Sequence, residues 1–296
     1  MKIMYLNVNG FFGNEEKKKI MGGKTIGVVR TEISEEKITT CQENLGEEIC
    51  ENEKTKNADM IFLSEVDPQS PATHSLGTYR FENKRRCSFI DTINKDKKYD
   101  ILTPNGNESE KKQWGEKWEK NEWGKIPGYS CTICLKKKGL NYTNADNGFR
   151  DKGKILDYLQ ICKIENEKVV LLAIHAKDEK GFDDSISRLL EYAIKNDKKN
   201  DKKIIVFGDT NANPDAKKIE DQEAFERNRR FENFMKKLGL YELAPEGKPY
   251  TYLRKTRIDR VFTNMPKDKI IVEVAPTFLE KNLSDHVALL ITYEED

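Results

Sequence analysis

Apolar residues along this chain fall into two kinds of run. Short stretches dense in β-branched and aromatic residues read as strands: KIMYLNV at 2–8, ADMIFLSEV at 58–66, GYSCTICLK at 128–136, KILDYLQICKI at 154–164, KVVLLAIHA at 168–176 and KKIIVFGD at 202–209. Pro68 stops the second of these, and the polar ENE between the fourth and fifth predicts a hairpin. The C-terminal part adds YTYLRK, RIDRVFTN, KIIVEVA and VALLITYE, all strand-like. Helical spacing is found over 31–56, with Thr31 or Ser34 as caps, over 182–199, where Ile186, Leu189, Leu190 and Ala193 share a face, and over 220–238, ended by Gly239. The stretch 70–127 has no period. It mixes Pro, Gly, Asn and charge with Trp114, Trp118 and Trp123, and is expected as a long irregular insertion ordered by its tryptophans. Strands alternating with helices, followed by a run of strands, predict two packed sheets flanked by helices.

Composition narrows the class. The chain has 296 residues, 36% of them hydrophobic, enough for one large domain spanning 1–296. Charged residues reach 35%, but 52 Lys+Arg and 51 Asp+Glu cancel, so affinity for a polyanion has to come from local patches. No run has the length of a membrane span, and mean hydropathy is −0.78. MKIMYLNVNG opens as a core strand rather than a leader, so a cytoplasmic location is expected; the chain is also expected to be a monomer. The six cysteines include a C-x-x-C pair, Cys131 and Cys134, but strand geometry points such positions to opposite faces and no histidine completes a ligand set. They read as reduced, small hydrophobic residues.

The chemistry concentrates in three fragments: GDTNAN at 208–213, RIDRVF at 257–262 and SDHVAL at 284–289. Each sets short polar residues (Asp209 and Asn211, Asp259, Asp285 and His286) against an apolar run. Taken singly they have plain meanings, an Asx turn at Asp209 or a packed histidine at His286. Taken together, strands that end in carboxylate, amide and imidazole are how a rigid sheet presents a hydrolytic site, and they point to a metal-dependent phosphoesterase.

With LNVNG (6–10), FLSEV (62–66), GYS (128–130) and AIHA (173–176) added in order, the chain resembles the endonuclease/exonuclease/phosphatase superfamily. That superfamily includes exonuclease III, AP endonucleases, DNase I, neutral sphingomyelinases and inositol-polyphosphate 5-phosphatases. The resemblance implies an α/β four-layer sandwich: two packed, mostly antiparallel sheets flanked by helices, with the site at one edge. It implies Glu65 as main ligand of Mg²⁺ or Mn²⁺, with Asn7 at the metal shell or phosphate and Asp285 reaching the same ion. Asp209 would orient and deprotonate the attacking water, helped by Asn211, while His286, paired with Asp259, would hold the scissile phosphate. His175 matches the DNase I and sphingomyelinase-like branches, and Tyr129 the exonuclease III branch; both are carried as catalytic candidates. Asn9, Arg257 and Tyr252 are the substrate-binding candidates: Arg257 closes a basic run just before Asp259, and Tyr252 is placed to stack on a base. His74 receives no role. The function implied is a divalent-metal-dependent phosphodiesterase acting on nucleic acid, a DNA endonuclease foremost. A small-molecule or lipid phosphatase on the same scaffold is the rival, because substrate choice lives in loops.

Overall fold

The computed structural model describes residues 1–8, 20–21, 24–25, 35–66, 92–102, 131–145, 161–176, 184–253 and 255–295. Fourteen strands are found among the described residues: β1 (Lys2–Asn7), β2 (Ile20–Met21), β3 (Lys24–Thr25), β4 (Met60–Val66), β5 (Tyr99–Leu102), β6 (Cys131–Lys137), β7 (Thr143–Asn144), β8 (Ile161–Glu165), β9 (Val169–His175), β10 (Lys203–Asp209), β11 (Tyr241–Glu242), β12 (Asp259–Thr263), β13 (Ile270–Ala275) and β14 (Ala288–Tyr293). One six-stranded sheet has the order β13-β14-β1-β4-β6-β5, the other β11-β12-β10-β9-β8-β7, and β2 pairs with β3 apart from both. Each large sheet has one parallel pair, β1 with β4 and β9 with β10, in an otherwise antiparallel ladder.

Side-chain alternation explains the layering. In β1, Ile3 and Tyr5 join an inner core with Phe62, Ala173, Phe207, Val261 and Leu289, which fills the space between the sheets. Met4 and Leu6 point the other way, into a helix-covered core that includes Leu45 and Ile49 of helix α1 (Glu35–Glu51). The second sheet is covered by α2 (Asp184–Lys199), through Leu190, Ala193 and Ile194, and by α3 (Gln222–Lys237), through Phe231 and Met235. A short helix, α4 (Thr277–Glu280), adds Phe278 to the outer core. Helix, sheet, sheet, helix is the predicted four-layer order.

Local chemistry accounts for the boundaries. The expected β8–β9 hairpin forms, and its turn is held by Asn166, whose Oδ1 accepts from the N–H of Lys168 at 2.9 Å and of Val169 at 2.7 Å. Asp221 caps α3 by accepting from the N–H of Ala224 at 2.9 Å. At the other end Gly239 takes φ +72°, and the N–H groups of Leu240 and Gly239 close back on Met235 O and Lys236 O, which is the left-handed helix stop expected there.

Two expectations change. YTYLRK is not a strand: Tyr252 and Thr256 bond across a tight turn, and Leu253 has φ +44°. Its aromatic and β-branched residues carry strand propensity, but the return to β12 requires the reversal. Within the stretch expected as an irregular insertion, Tyr99–Leu102 form β5, paired with β6. Residues 70–91 and 103–127, including Trp114, Trp118 and Trp123, lie outside the described residues.

At Gly208 the backbone of β10 leaves no room for a side chain against β9. The φ of Gly208 is +129°, and a Cβ there would lie 2.1 Å from Ile174 O. Gly208→Ala is expected to destabilise by well over about 1 kcal/mol, because both backbone conformation and space oppose it. Gly139→Ala, with nothing within 4 Å, meets only the backbone cost. Urea unfolding of the two variants measures the difference.

Candidate active site

The alternation that packs the inner core also collects the polar residues. Asn7 follows Ile3 and Tyr5 on the inner face of β1, and Asp209 follows Ile205 and Phe207 on that of β10. In the second sheet Asp209 stands in register with His175 on one side and Asp259 on the other. Thus imidazole, carboxylate and carboxylate lie abreast on three neighbouring strands, all at the same edge of the sandwich.

Glu65 reaches this group by a different device. Met60, Phe62 and Ser64 share the inner face of β4, so regular pleating would turn Glu65 outward with Ile61 and Leu63. The pairing with β6 shifts between Leu63 and Val66, and Glu65 itself has φ +61°. This bulge breaks the alternation and re-aims the carboxylate. Its Oε1 comes 3.2 Å from Asn7 Nδ2 and 3.7 Å from His175 Nε2.

A continuous set of contacts then crosses the site. Asn7 Nδ2 donates to Asp209 Oδ2 at 3.1 Å, and that same oxygen is 3.9 Å from His175 Nε2 and 3.8 Å from His286 Nε2. His286 Nδ1 is 2.9 Å from Asp259 Oδ2, and its Nε2 lies 3.7 Å from Asp285 Oδ1. Residues 65, 209 and 286 therefore lie in one connected set of side chains.

Burial sets the charges. Burial raises the Asp209 carboxyl from 3.8 to about 6; the positive His286 pulls it down, and neighbouring Asp259 pushes it back up. For His286 burial favours the neutral ring, but the Asp259 carboxylate and its hydrogen bond outweigh this and lift the imidazole to about 10. Near neutral pH the pair is an aspartate beside an imidazolium.

Two residues that hold the site, Ser284 and Thr251, were not among the candidates from sequence. Ser284 Oγ donates to Asn7 O at 2.6 Å and accepts from the N–H of His286 at 3.0 Å, so it fixes both ends of the cluster. Thr251 Oγ accepts from the N–H of Asp259 at 3.0 Å. Ser284 was visible in the SDH fragment as the residue before the acid; Thr251 carried no signal. Asn211 has φ +47°, its N–H donates to Asp209 Oδ1 at 2.9 Å and its Nδ2 to Ala176 O at 2.6 Å, which locks the rotamer of the carboxylate. Tyr252 lies against His286, ring centroids 4.8 Å apart.

Arg257 departs from its expected place at a substrate surface. It is 3% exposed, and its guanidinium is held by Glu242. Glu242 also takes Arg260 at 2.7 Å, so Arg260 of β12 and Arg257 just before that strand are tied to β11 rather than facing outward. Tyr129 and Asn9 lie outside the described residues. Among the described cysteines, Cys50, Cys134 and Cys162 are free thiols. No helix among the described residues is long and apolar enough to cross a membrane.

One buried group, Asp209, Asp259 and His286, offers ligand atoms within 4.8 Å of one another and could hold a metal ion. Glu65 lies next to this group, its Oε1 accepting from Asn7 Nδ2 at 3.2 Å, and a carboxylate is a ligand type that suits a hard cation such as Mg²⁺. His286 is a poor ligand while its Nδ1 is bonded to Asp259 and the ring is protonated.

From pH 3.8 to about 6 the folded chain keeps a proton on Asp209 that the unfolded chain has released, so this group costs stability as pH rises through that window. Asp209→Asn is therefore expected to raise the thermal midpoint above wild type at pH 7. The gain should vanish as the pH is lowered toward about 4. Thermal unfolding at the two pH values is the check.

No family model and no curated protein matches the chain by sequence. Solved structures do match by shape. A 3′-5′ exonuclease from Neisseria meningitidis aligns over 100% of both chains with TM-score 0.58 at 14% identity. An AP endonuclease from Archaeoglobus fulgidus also aligns over 100% of both, with TM-score 0.55 at 12% identity. Truncated TDP2 from Caenorhabditis elegans covers 99% of this chain and 97% of its own, with TM-score 0.51 at 16% identity. The two mixed six-stranded sheets and their flanking helices are the DNase I-like fold of endonuclease/exonuclease/phosphatase proteins.

Proposed function

We propose that the chain is a member of the endonuclease/exonuclease/phosphatase superfamily and a Mg²⁺- or Mn²⁺-dependent phosphodiesterase. Its substrate in this reading is nucleic acid, DNA foremost, cut internally by a cytoplasmic monomer. The observation that carries the chemistry is the meeting, at one sandwich edge, of an acid–base pair (Asp209 beside His286–Asp259) with a carboxylate–amide pair (Glu65 with Asn7). The nucleic-acid substrate is supported by the shape neighbours, among them a Neisseria 3′ phosphatase bound to a product DNA hairpin, with TM-score 0.58.

The site's charge calls for a cation. Asp209, Asp259 and Asp285 surround the imidazolium of His286, and Glu65 stands nearby against Asn7 and His175, so a phosphate would meet net repulsion there. Glu65 and Asn7 would hold the ion, with Asp285 the further candidate. When bound, a divalent cation neutralises phosphate charge and lowers the pKa of water.

The chain's own residues supply the rest. Asp209, held in one rotamer by Asn211, takes a proton from the attacking water; its raised pKa makes it a better base than an ordinary carboxylate. His286 donates from Nε2 to the phosphate while Asp259 keeps the ring protonated through Nδ1. His175, facing Glu65 and Asp209, is placed to meet a phosphate or leaving oxygen. Tyr252, packed on the His286 ring, offers the aromatic surface next to it.

Asp209→Ala and His286→Ala should each lower kcat on the order of a hundredfold or more, measured on plasmid DNA with Mg²⁺. Activity should rise as pH passes about 6, where Asp209 ionises, and fall near 10, where His286 loses its proton. Supercoiled plasmid, abasic duplex, single-stranded DNA, RNA and an inositol phosphate, each with and without Mg²⁺, test the substrate class. Turnover of the inositol phosphate alone would replace the nuclease reading with that of a small-molecule phosphatase.

A further inference from the structure

Tyr5 is fully buried, and its hydroxyl lies beneath the site rather than in it. The ring springs from β1 in the first sheet and packs edge-on against Phe207 of the second, centroids 6.1 Å apart at 81°. It thereby spans the gap of about 10 Å that separates stacked sheets, and delivers its hydroxyl to the backbone of the opposite sheet. That hydroxyl accepts from the N–H of Asp209 at 3.0 Å and donates to Ile174 O at 3.3 Å. It also shares a 2.7 Å hydrogen bond with Ser64 Oγ.

The identity of these partners is what matters. In the parallel register Asp209 is opposite His175, so the N–H of Asp209 and the carbonyl of Ile174 are the two ends of one ladder position. The next position is regular: the N–H of Ala176 donates to Asp209 O at 2.8 Å. The Tyr5 hydroxyl touches both ends of the former. Ser64 immediately precedes Glu65, at the start of the bulge that re-aims that carboxylate. One phenolic oxygen is thus bonded to Asp209 itself and to the residues just before His175 and Glu65. These three residues come from three strands in two sheets.

We infer that Tyr5 is a positioning residue for the proposed hydrolysis: its hydroxyl ties the strand ends bearing Asp209, His175 and Glu65 into one geometry across the sheet–sheet gap. The inference rests on the functional reading above. Catalytic groups tolerate displacements of only about half an ångström before rate is lost, and a hydrogen-bonded tether shared by three of them holds that tolerance. A phenylalanine would fill the same core space but leave the N–H of Asp209 and the Ser64 hydroxyl without this partner.

The test is Tyr5→Phe in the full chain, with Tyr293→Phe as control. Tyr293 is a second inner-core tyrosine, whose hydroxyl meets Tyr142 at 2.7 Å. Both variants lose a buried hydroxyl, so both should lose some thermal stability. Only Tyr5→Phe is expected to lower kcat, about tenfold or more with KM changed less than about twofold, the signature of a transition-state rather than a binding defect. On an Asp209→Asn background the same change should add a smaller loss than in wild type, because one of the three tethered residues no longer acts while His175 and Glu65 still depend on the tether. Amide hydrogen exchange gives a readout independent of activity: exchange at Asp209 should accelerate in Tyr5→Phe while that at Val206 does not. Unchanged kcat in Tyr5→Phe, or equal losses in both variants, overturns the inference. Wild-type protein inactive on every phosphoester overturns the functional reading instead, and the exchange rates still decide whether the tether exists.

Discussion

Asp209 and Asp259 stand opposite one another on adjacent strands, both out of water, an arrangement that two carboxylates cannot sustain unaided. His286 sits against both, 2.9 Å from Asp259 and 3.8 Å from Asp209, and its positive charge makes the pair tolerable. The consequence runs in both directions: the aspartates hold the imidazole protonated, and the imidazolium keeps Asp209 ionised at neutral pH despite its burial. Ser284 and Thr251, which fix the main chain at His286 and Asp259, serve this one charge arrangement.

The sandwich makes such a cluster affordable by surrounding it with stiffness. The strands that carry Asn7, Asp209 and Asp259 are buried over almost their whole length, and Tyr5, Phe62 and Phe207 interlock between the sheets. Polar ends of otherwise apolar strands can then be held in place by the core beneath them. Elsewhere buried charge ties layers together: Lys163 of β8 donates to Asp197 of α2 at 2.8 Å, and Arg260 of β12 reaches Glu232 of α3 at 2.9 Å. Each is paired, as burial of a charge demands.

A regular strand alone would not complete the site. Three of its residues, Asn7, Asp209 and Asp259, follow the pleat, whereas Glu65 faces inward only because the β4–β6 pairing slips and its backbone turns left-handed. Glu65, the proposed cation ligand, therefore owes its place to an irregularity, while Asn7, Asp209 and Asp259 owe theirs to regular pleating. The Tyr5 hydroxyl spans the two halves, being bonded to Ser64 on one side and Asp209 on the other.

Much of this was legible in one dimension. The apolar runs located the long strands, helical spacing located α1, α2 and α3, and the fragments around Asp209, Asp259 and His286 marked the chemistry, since local pattern and local propensity decide those features. Other features required the fold. Arg257 reads as a basic surface residue, yet the tertiary structure buries it against Glu242, because exposure depends on neighbours from other strands. YTYLRK has strand composition but forms a turn, since the path into β12 overrides propensity. The inward aim of Glu65, the protonation of His286 and the three partners of Tyr5 all arise from residues far apart along the chain. Sequence determined which groups this protein possesses; packing of the two sheets decided their distances, and distance together with burial sets charge and reactivity.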